Sequence, residues 1–144
     1  MIENLKKSDI DECVEIAKII FNIDNYSFDI KKELLLAFDD NQFTKPEYFI
    51  YREDNIIKGF AGLANTGFDN QIYGFFSCYV LPQYQFKGIG KKLVEARIQR
   101  LIELKAEMIL VTTQKIWHLE RFGFEIIETK TKYKWTTMFK QLDK

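Results

Sequence analysis

Apolar residues return at helical spacing after Ile10: Cys13, Val14, Ala17 and Phe21 share one face, which predicts a helix ending near Asn22. Ser8 or Asp9 suits the N-cap, with Glu12 placed to complete a capping box from Asp9. Ile2 to Lys6 reads as a short strand before it. Asn22 to Asp29 reads as a loop, and Ile30 to Phe38 as a second, shorter helix. Pro46 and the polar cluster from Asp39 cannot continue a helix, so the chain turns there.

The period then changes. Tyr48 to Asp54 and Ile56 to Asn65 are rich in β-branched and aromatic residues, and the turn at Asp54 and Asn55 predicts a hairpin. Gln71 to Val80 is a third strand, stopped by Leu81 and Pro82, because proline has no amide for the ladder. Gly88 to Lys105 reads as the longest helix, with Ile89, Leu93, Val94, Ile98, Leu101 and Ile102 as its apolar stripe and charged residues elsewhere. Met108 to Thr113 is a buried-type strand, and strand, helix, strand predicts a right-handed crossover within a parallel pair. A short helix over Ile116 to Phe122 closes at Gly123. Phe124 to Thr129 and Tyr133 to Phe139 end the chain as an antiparallel pair. The expectation is a single domain over residues 1–144, of α/β (α+β) class. It has a mixed sheet of about seven strands and roughly four helices.

Composition narrows the function. Nearly half of the 144 residues are apolar and 13 are Phe, enough for a real core. Lys plus Arg equals Asp plus Glu at 21 each, so a general nucleic-acid partner is not expected. The two cysteines, Cys13 and Cys78, offer neither zinc spacing nor a disulfide framework and read as buried thiols. No metal is expected. The charged start and the lack of a long apolar run predict no signal peptide, no membrane span and a cytoplasmic protein.

One stretch carries chemistry: Cys78 to Ile98, "CYVLPQYQFKGIGKKLVEARI". Gly88 and Gly90 stand between Lys87 and Lys91 at the mouth of the predicted long helix. The first amides of a helix lack intrahelical partners and carry partial positive charge, and glycines let an anion approach them closely. The segment reads as a phosphate or pyrophosphate cradle. It is not a Rossmann loop, because Leu93 stands where the third glycine would be, and not a P-loop, because Gln85 and Lys92 occupy its Gly and Ser/Thr positions.

"QFKGIG" fits Q/R-x-x-G-x-G/A, and with the preceding "VLP" and the following helix it resembles the GCN5-related N-acetyltransferase (GNAT) superfamily. The order of elements along most of the chain is similar too. The resemblance implies that the strand ending at Val80 splays from the strand around Met108 to Thr112. Pantetheine of acetyl-CoA would bond backbone groups of Cys78, Tyr79 and Val80 in the gap. Amides from Phe86 through Lys87, Gly88, Ile89 and Gly90 to Lys91 would hold the pyrophosphate, with Gln85 opening the motif. Lys87, Lys91 or Lys92 would meet the 3′-phosphate, and Lys92 is the weakest choice. An amide near Tyr79 would polarise the thioester carbonyl.

The chain also departs from the family. Leu119 stands where a tyrosine acid is common in "FYxxxGF", and the strand Tyr73 to Val80 has no carboxylate. His118 and Tyr79 are the candidates for acid–base work, each with a packing role as its alternative; Tyr73 is a further candidate for the cleft. Trp117 reads as core. "TTQKIWHLERFGF" resembles a stretch in the acetyltransferase domain of N-acetylglutamate synthases. The implied function is transfer of acetyl from acetyl-CoA to a primary amine of a small molecule or amino acid, by direct attack. The alternatives are a protein N-terminal or lysine acetyltransferase and a non-catalytic acyl-CoA-binding or sensor module. Acceptor selection is expected from residues 21–30 and the turn near Asp39 and Asp40. A homodimer is left open.

Overall fold

The computed structural model describes residues 1–21, 24–67, 71–113, 115–128 and 135–142, apart from the side chains of 24–29 and 128. Its elements are β1 (Ile2–Asn4), α1 (Ile10–Phe21), α2 (Asp24–Leu36), β2 (Glu47–Glu53), β3 (Ile56–Asn65) and β4 (Ile72–Val80). Then come α3 (Ile89–Glu103), β5 (Met108–Thr113), α4 (Ile116–Glu120), β6 (Glu125–Glu128) and β7 (Thr136–Gln141). The strands form one mixed sheet in the order β1-β2-β3-β4-β5-β7-β6. Among the described strands only β4 and β5 run parallel, with α3 between them in the chain as expected.

The β2–β3 hairpin forms as the sequence predicts. Asp54 (φ 56°) and Asn55 (φ 62°) both take the left-handed conformation that a two-residue hairpin turn requires. β7 pairs antiparallel with both β5 and β6. Predicted positions Asn22, Gln114, Thr129, Tyr133 and Lys134 lie outside the described residues.

The sheet separates two apolar cores. On one side α1 and α2 pack Cys13, Ile16, Ile30 and Leu34 against Ile50, Ile57 and Phe60. On the other side α3 and α4 pack Leu93, Leu101 and Leu119 against Leu63, Phe75, Ile109 and Met138. Each fully buried side chain of this kind contributes roughly 1.5–3 kcal/mol by leaving water.

The structure corrects several expectations. The second helix starts at Asp24 rather than Ile30, because docking of Ile30 and Leu34 on α1 carries the helix back through polar residues. The capping box from Asp9 to Glu12 does not form. The Asp9 carboxylate instead accepts from the Lys6 amide at 2.9 Å, and that of Glu12 from the Ile57 amide at 2.7 Å. Arg97 belongs to the buried face of α3, whereas Ile102 is half exposed. Cys78 and Trp117 are exposed, not buried.

Candidate active site

A gap opens in the middle of the sheet. β4 and β5 pair only over Ile72, Tyr73 and Gly74 against Met108, Ile109 and Leu110, and beyond these they share no ladder. The cause is written into β4. Phe60 of β3 faces Tyr79 of β4, yet Gly62 faces Phe76, so one extra residue is inserted in β4 and Ser77 takes φ 53°. Such a bulge bends the strand and redirects its side chains. Gly62 makes room: a Cβ there would stand 2.7 Å from the rings of both Phe76 and Tyr48.

The bulge also resolves the two tyrosines. Six residues apart, Tyr73 and Tyr79 would share a face in a regular strand. With the insertion, Tyr73 packs on the α3 side and Tyr79 on the α1 side. Tyr79 therefore reaches the cleft, held edge-on by Phe21 at 5.1 Å and Phe60 at 5.3 Å between ring centroids.

The glycine turn follows β4 directly. Gln85 donates from Nε2 to the Val80 carbonyl at 3.0 Å, bracing the loop on the strand end. Phe86 (φ 63°) and Gly88 (φ 87°) are left-handed with Lys87 between them outside that region, an alternation that turns successive amides into one concavity. Gly88 is the N-cap of α3, and the first helical bond runs from the Lys92 amide to the Gly88 carbonyl at 3.1 Å. The amides of Ile89, Gly90 and Lys91 therefore have no partner within the helix. This cradle fits a phosphate or pyrophosphate, and it lies at the open end of the gap.

The neighbouring lysines divide. Lys87 and Lys91 are exposed beside the cradle, Lys91 with its Nζ 3.9 Å from Glu95. Lys92 turns away over the Tyr51 ring, 5.4 Å from its centroid.

On the α1–α2 side of the gap lies a cleft of ≈750 Å³. Its walls include Tyr48, Phe76, Ser77 and Tyr79 from the sheet and Glu33 from α2, with Thr112, Trp135 and Thr137 opposite. Burial and then the nearby Glu33 carboxylate push the Tyr48 hydroxyl well above its ordinary range, so it stays protonated.

His118 does not line this cleft. Its Nε2 lies 3.6 Å from where a Cβ on Gly90 would be, so it packs on the first turn of α3 next to the cradle. Burial, then the charges of Arg121, Lys115 and Arg97, hold its imidazole below the ordinary 6.5. Leu119 is 6% exposed in the α3-side core, and no acid stands at that position. Asp39 accepts from the Asn41 amide and the Gln42 side chain, which lowers its pKa and ties it into its own turn.

Arg97 is the residue that sequence reasoning missed. It is 2% exposed beneath the bulge, donating to the Gly62 carbonyl at 3.1 Å and the Leu93 carbonyl at 3.2 Å, with its guanidinium 4.1 Å from the Phe75 ring centroid. Burial lowers its pKa, and its neighbour Cys78 raises it. The signal was its phase: it stands four residues from both Leu93 and Leu101. Among the described residues no cluster of three metal-ligating side chains occurs, and no helix is long and apolar enough to cross a membrane.

Solved structures with this arrangement are numerous. PaiA N-acetyltransferase from Thermoplasma acidophilum, in complex with coenzyme A, aligns with TM-score 0.75 and 15% identity over 99% of this chain and 98% of that one. An aminoglycoside 6′-N-acetyltransferase complexed with coenzyme A gives 0.79 and 10% over 98% and 96%. A GNAT-family acetyltransferase from Brucella melitensis in complex with acetyl-CoA gives 0.72 and 20% over 95% and 85%. At these identities the likeness speaks for the fold. No curated protein matches the sequence significantly. The sequence model of the Acetyltransferase (GNAT) family, however, matches residues 13–124, from α1 through the cradle to the end of the α4 turn. This chain belongs to the GNAT acetyltransferase family.

Proposed function

We propose that this chain, as one domain over residues 1–144, is a cytoplasmic acetyl-CoA-dependent N-acetyltransferase that acts on a primary amine of a small molecule. The observation that carries this reading is the continuity of cradle, gap and cleft. The amides of residues 86–91 receive the pyrophosphate, and the stretch Cys78, Tyr79 and Val80, beyond the end of the β4–β5 ladder, receives the pantetheine amides. The cleft beyond the gap receives the acceptor.

In this reading the acceptor nitrogen, as the neutral amine, bonds to the acetyl carbon while the carbon–sulfur bond breaks. The nitrogen then loses a proton to water, and the departing sulfur takes one up. A backbone amide near Tyr79 donates to the carbonyl oxygen as charge develops there, a contact that contributes a few kcal/mol in comparable sites. Tyr79 is the protein group best placed to supply the sulfur's proton, since it lines the cleft at the gap. His118 stands on the cradle side and serves the phosphates rather than the reacting atoms. The edge strand β6, with Ile126 and Ile127 exposed, favours a homodimer through that edge.

A second reading has its own observation. Leu119 is core where the family's acid is common, which suits an acyl-CoA-binding module without turnover. Titration with acetyl-CoA followed by amine-dependent thiol release separates the two. Binding with release supports the enzyme, binding without release supports the module, and absence of binding removes both.

A further inference from the structure

We propose that the buried guanidinium of Arg97 stabilises the thiolate that leaves acetyl-CoA at the gap. It is a positioning residue, acting from behind Cys78 and Phe75 rather than touching the reacting atoms. This rests on the acetyltransferase reading above and supplies what Leu119 cannot, a group that favours negative charge on sulfur. As the carbon–sulfur bond breaks, its electron pair stays on sulfur, and a nearby cation lowers the cost of that charge until the proton arrives.

Arg97 donates to the Gly62 carbonyl at 3.1 Å, and Gly62 stands opposite Phe76 at the start of the bulge. The Cys78 thiol is its neighbour on β4, and Cys78 is exposed, so the guanidinium stands one side chain behind the stretch assigned to the pantetheine. It also lies 4.1 Å from the ring centroid of Phe75, a residue that lines the cleft. Its hydrogen bonds end on the neutral carbonyls of Gly62 and Leu93, and among the described residues no carboxylate pairs with it. Its charge is therefore not cancelled, and a guanidinium keeps its proton at physiological pH. Burial of such a charge carries a desolvation cost that an apolar side chain of that volume would not, so packing alone does not account for it. Titratable groups face it from two elements: Cys78 on β4 and His118 on α4, the latter held below its ordinary range and so largely neutral near neutral pH.

Calorimetric titrations with coenzyme A and with desulfo-coenzyme A, which lacks only the thiol, isolate the charge on sulfur. The wild type's preference for coenzyme A is expected to rise about tenfold as pH climbs through the range in which the thiol ionises, because the bound thiol loses its proton before the free one. Protein groups that titrate there act on both ligands alike and drop out of the ratio. In Arg97→Met the ratio is expected to stay flat while affinity for desulfo-coenzyme A changes little, a pair of readings that loss of packing alone would not give. Should that variant fail to fold, Arg97→Gln, which keeps a donor toward Gly62, takes its place. A flat ratio in the wild type overturns the inference, needs no variant, and leaves the acetyltransferase reading standing. A rise that survives in Arg97→Met, or that vanishes in Cys78→Ser, also overturns it by assigning the effect to another group. Absence of coenzyme A binding removes both.

Discussion

The Nη1 atom of Arg97 donates to the carbonyl oxygen of Gly62 at 3.1 Å, joining the middle of α3 to the strand position opposite the β4 bulge. A cationic side chain is thus the strut that fixes helix to sheet beneath the gap. Arg97→Ala leaves a cavity against Phe75 and an unpaired carbonyl, and is expected to cost about 3 kcal/mol. Arg97→Met leaves the same carbonyl without its donor but fills the space and removes a desolvated charge, so its expected cost is smaller, about 1–2 kcal/mol. Urea unfolding of both variants checks this; equal losses would show that the charge, not the volume, holds the helix.

The two glycines of the cradle act differently. A Cβ on Gly88 meets no atom within 4 Å, but its φ of 87° strains any other residue, so Gly88→Val is expected to lower stability as well as acetyl-CoA binding. The strain costs about 1–2 kcal/mol. Gly90 has no such φ, and its Cβ would make an ordinary contact with His118 at 3.6 Å. Gly90→Val is expected to lose binding while keeping its melting temperature within a few degrees, read by calorimetry and thermal unfolding on the same samples.

The lysines offer a graded test. Lys87→Ala and Lys91→Ala should each weaken acetyl-CoA binding by about 1 kcal/mol or less, more at low salt than at high. Lys92→Ala should leave affinity unchanged, because its ammonium lies over Tyr51. Titrations at two ionic strengths distinguish the three.

His118 is held below 6.5, so as pH falls through 6.5 the unfolded chain gains its proton before the folded one does. Stability from this group is fully present above that pH and is lost below it. In His118→Gln the slope of melting temperature with pH should flatten in that window. Bound phosphates beside His118 would favour its protonated form, so acetyl-CoA binding should take up protons in the same window, and less in the variant. Tyr79→Phe, by contrast, should lower kcat about a hundredfold with little change in acetyl-CoA affinity.

The order of strands and helices was legible because it is written in periodicity, and the cradle because glycines beside lysines at a helix mouth have a direct physical meaning. The bulge was not. Nothing in "YGFFSCYV" announces that Ser77 is the inserted residue, and without it the faces of Tyr73 and Tyr79 cannot be told apart. Arg97 was misread because its charge outweighed its phase, although its carbonyl partners at Gly62 and Leu93 are what make burial tolerable. The cleft gathers described residues from six separate segments, with Glu33 and Trp135 about a hundred positions apart in sequence, a juxtaposition that only the sheet order creates.

Most sheets keep their unpaired strands at the flanks, where charges or bulges guard them against adhesion to other chains. Here the parting of β4 from β5 places two such edges in the centre of the sheet. Any molecule seated there also serves as a guard, capping backbone groups that would otherwise accept an intruding strand.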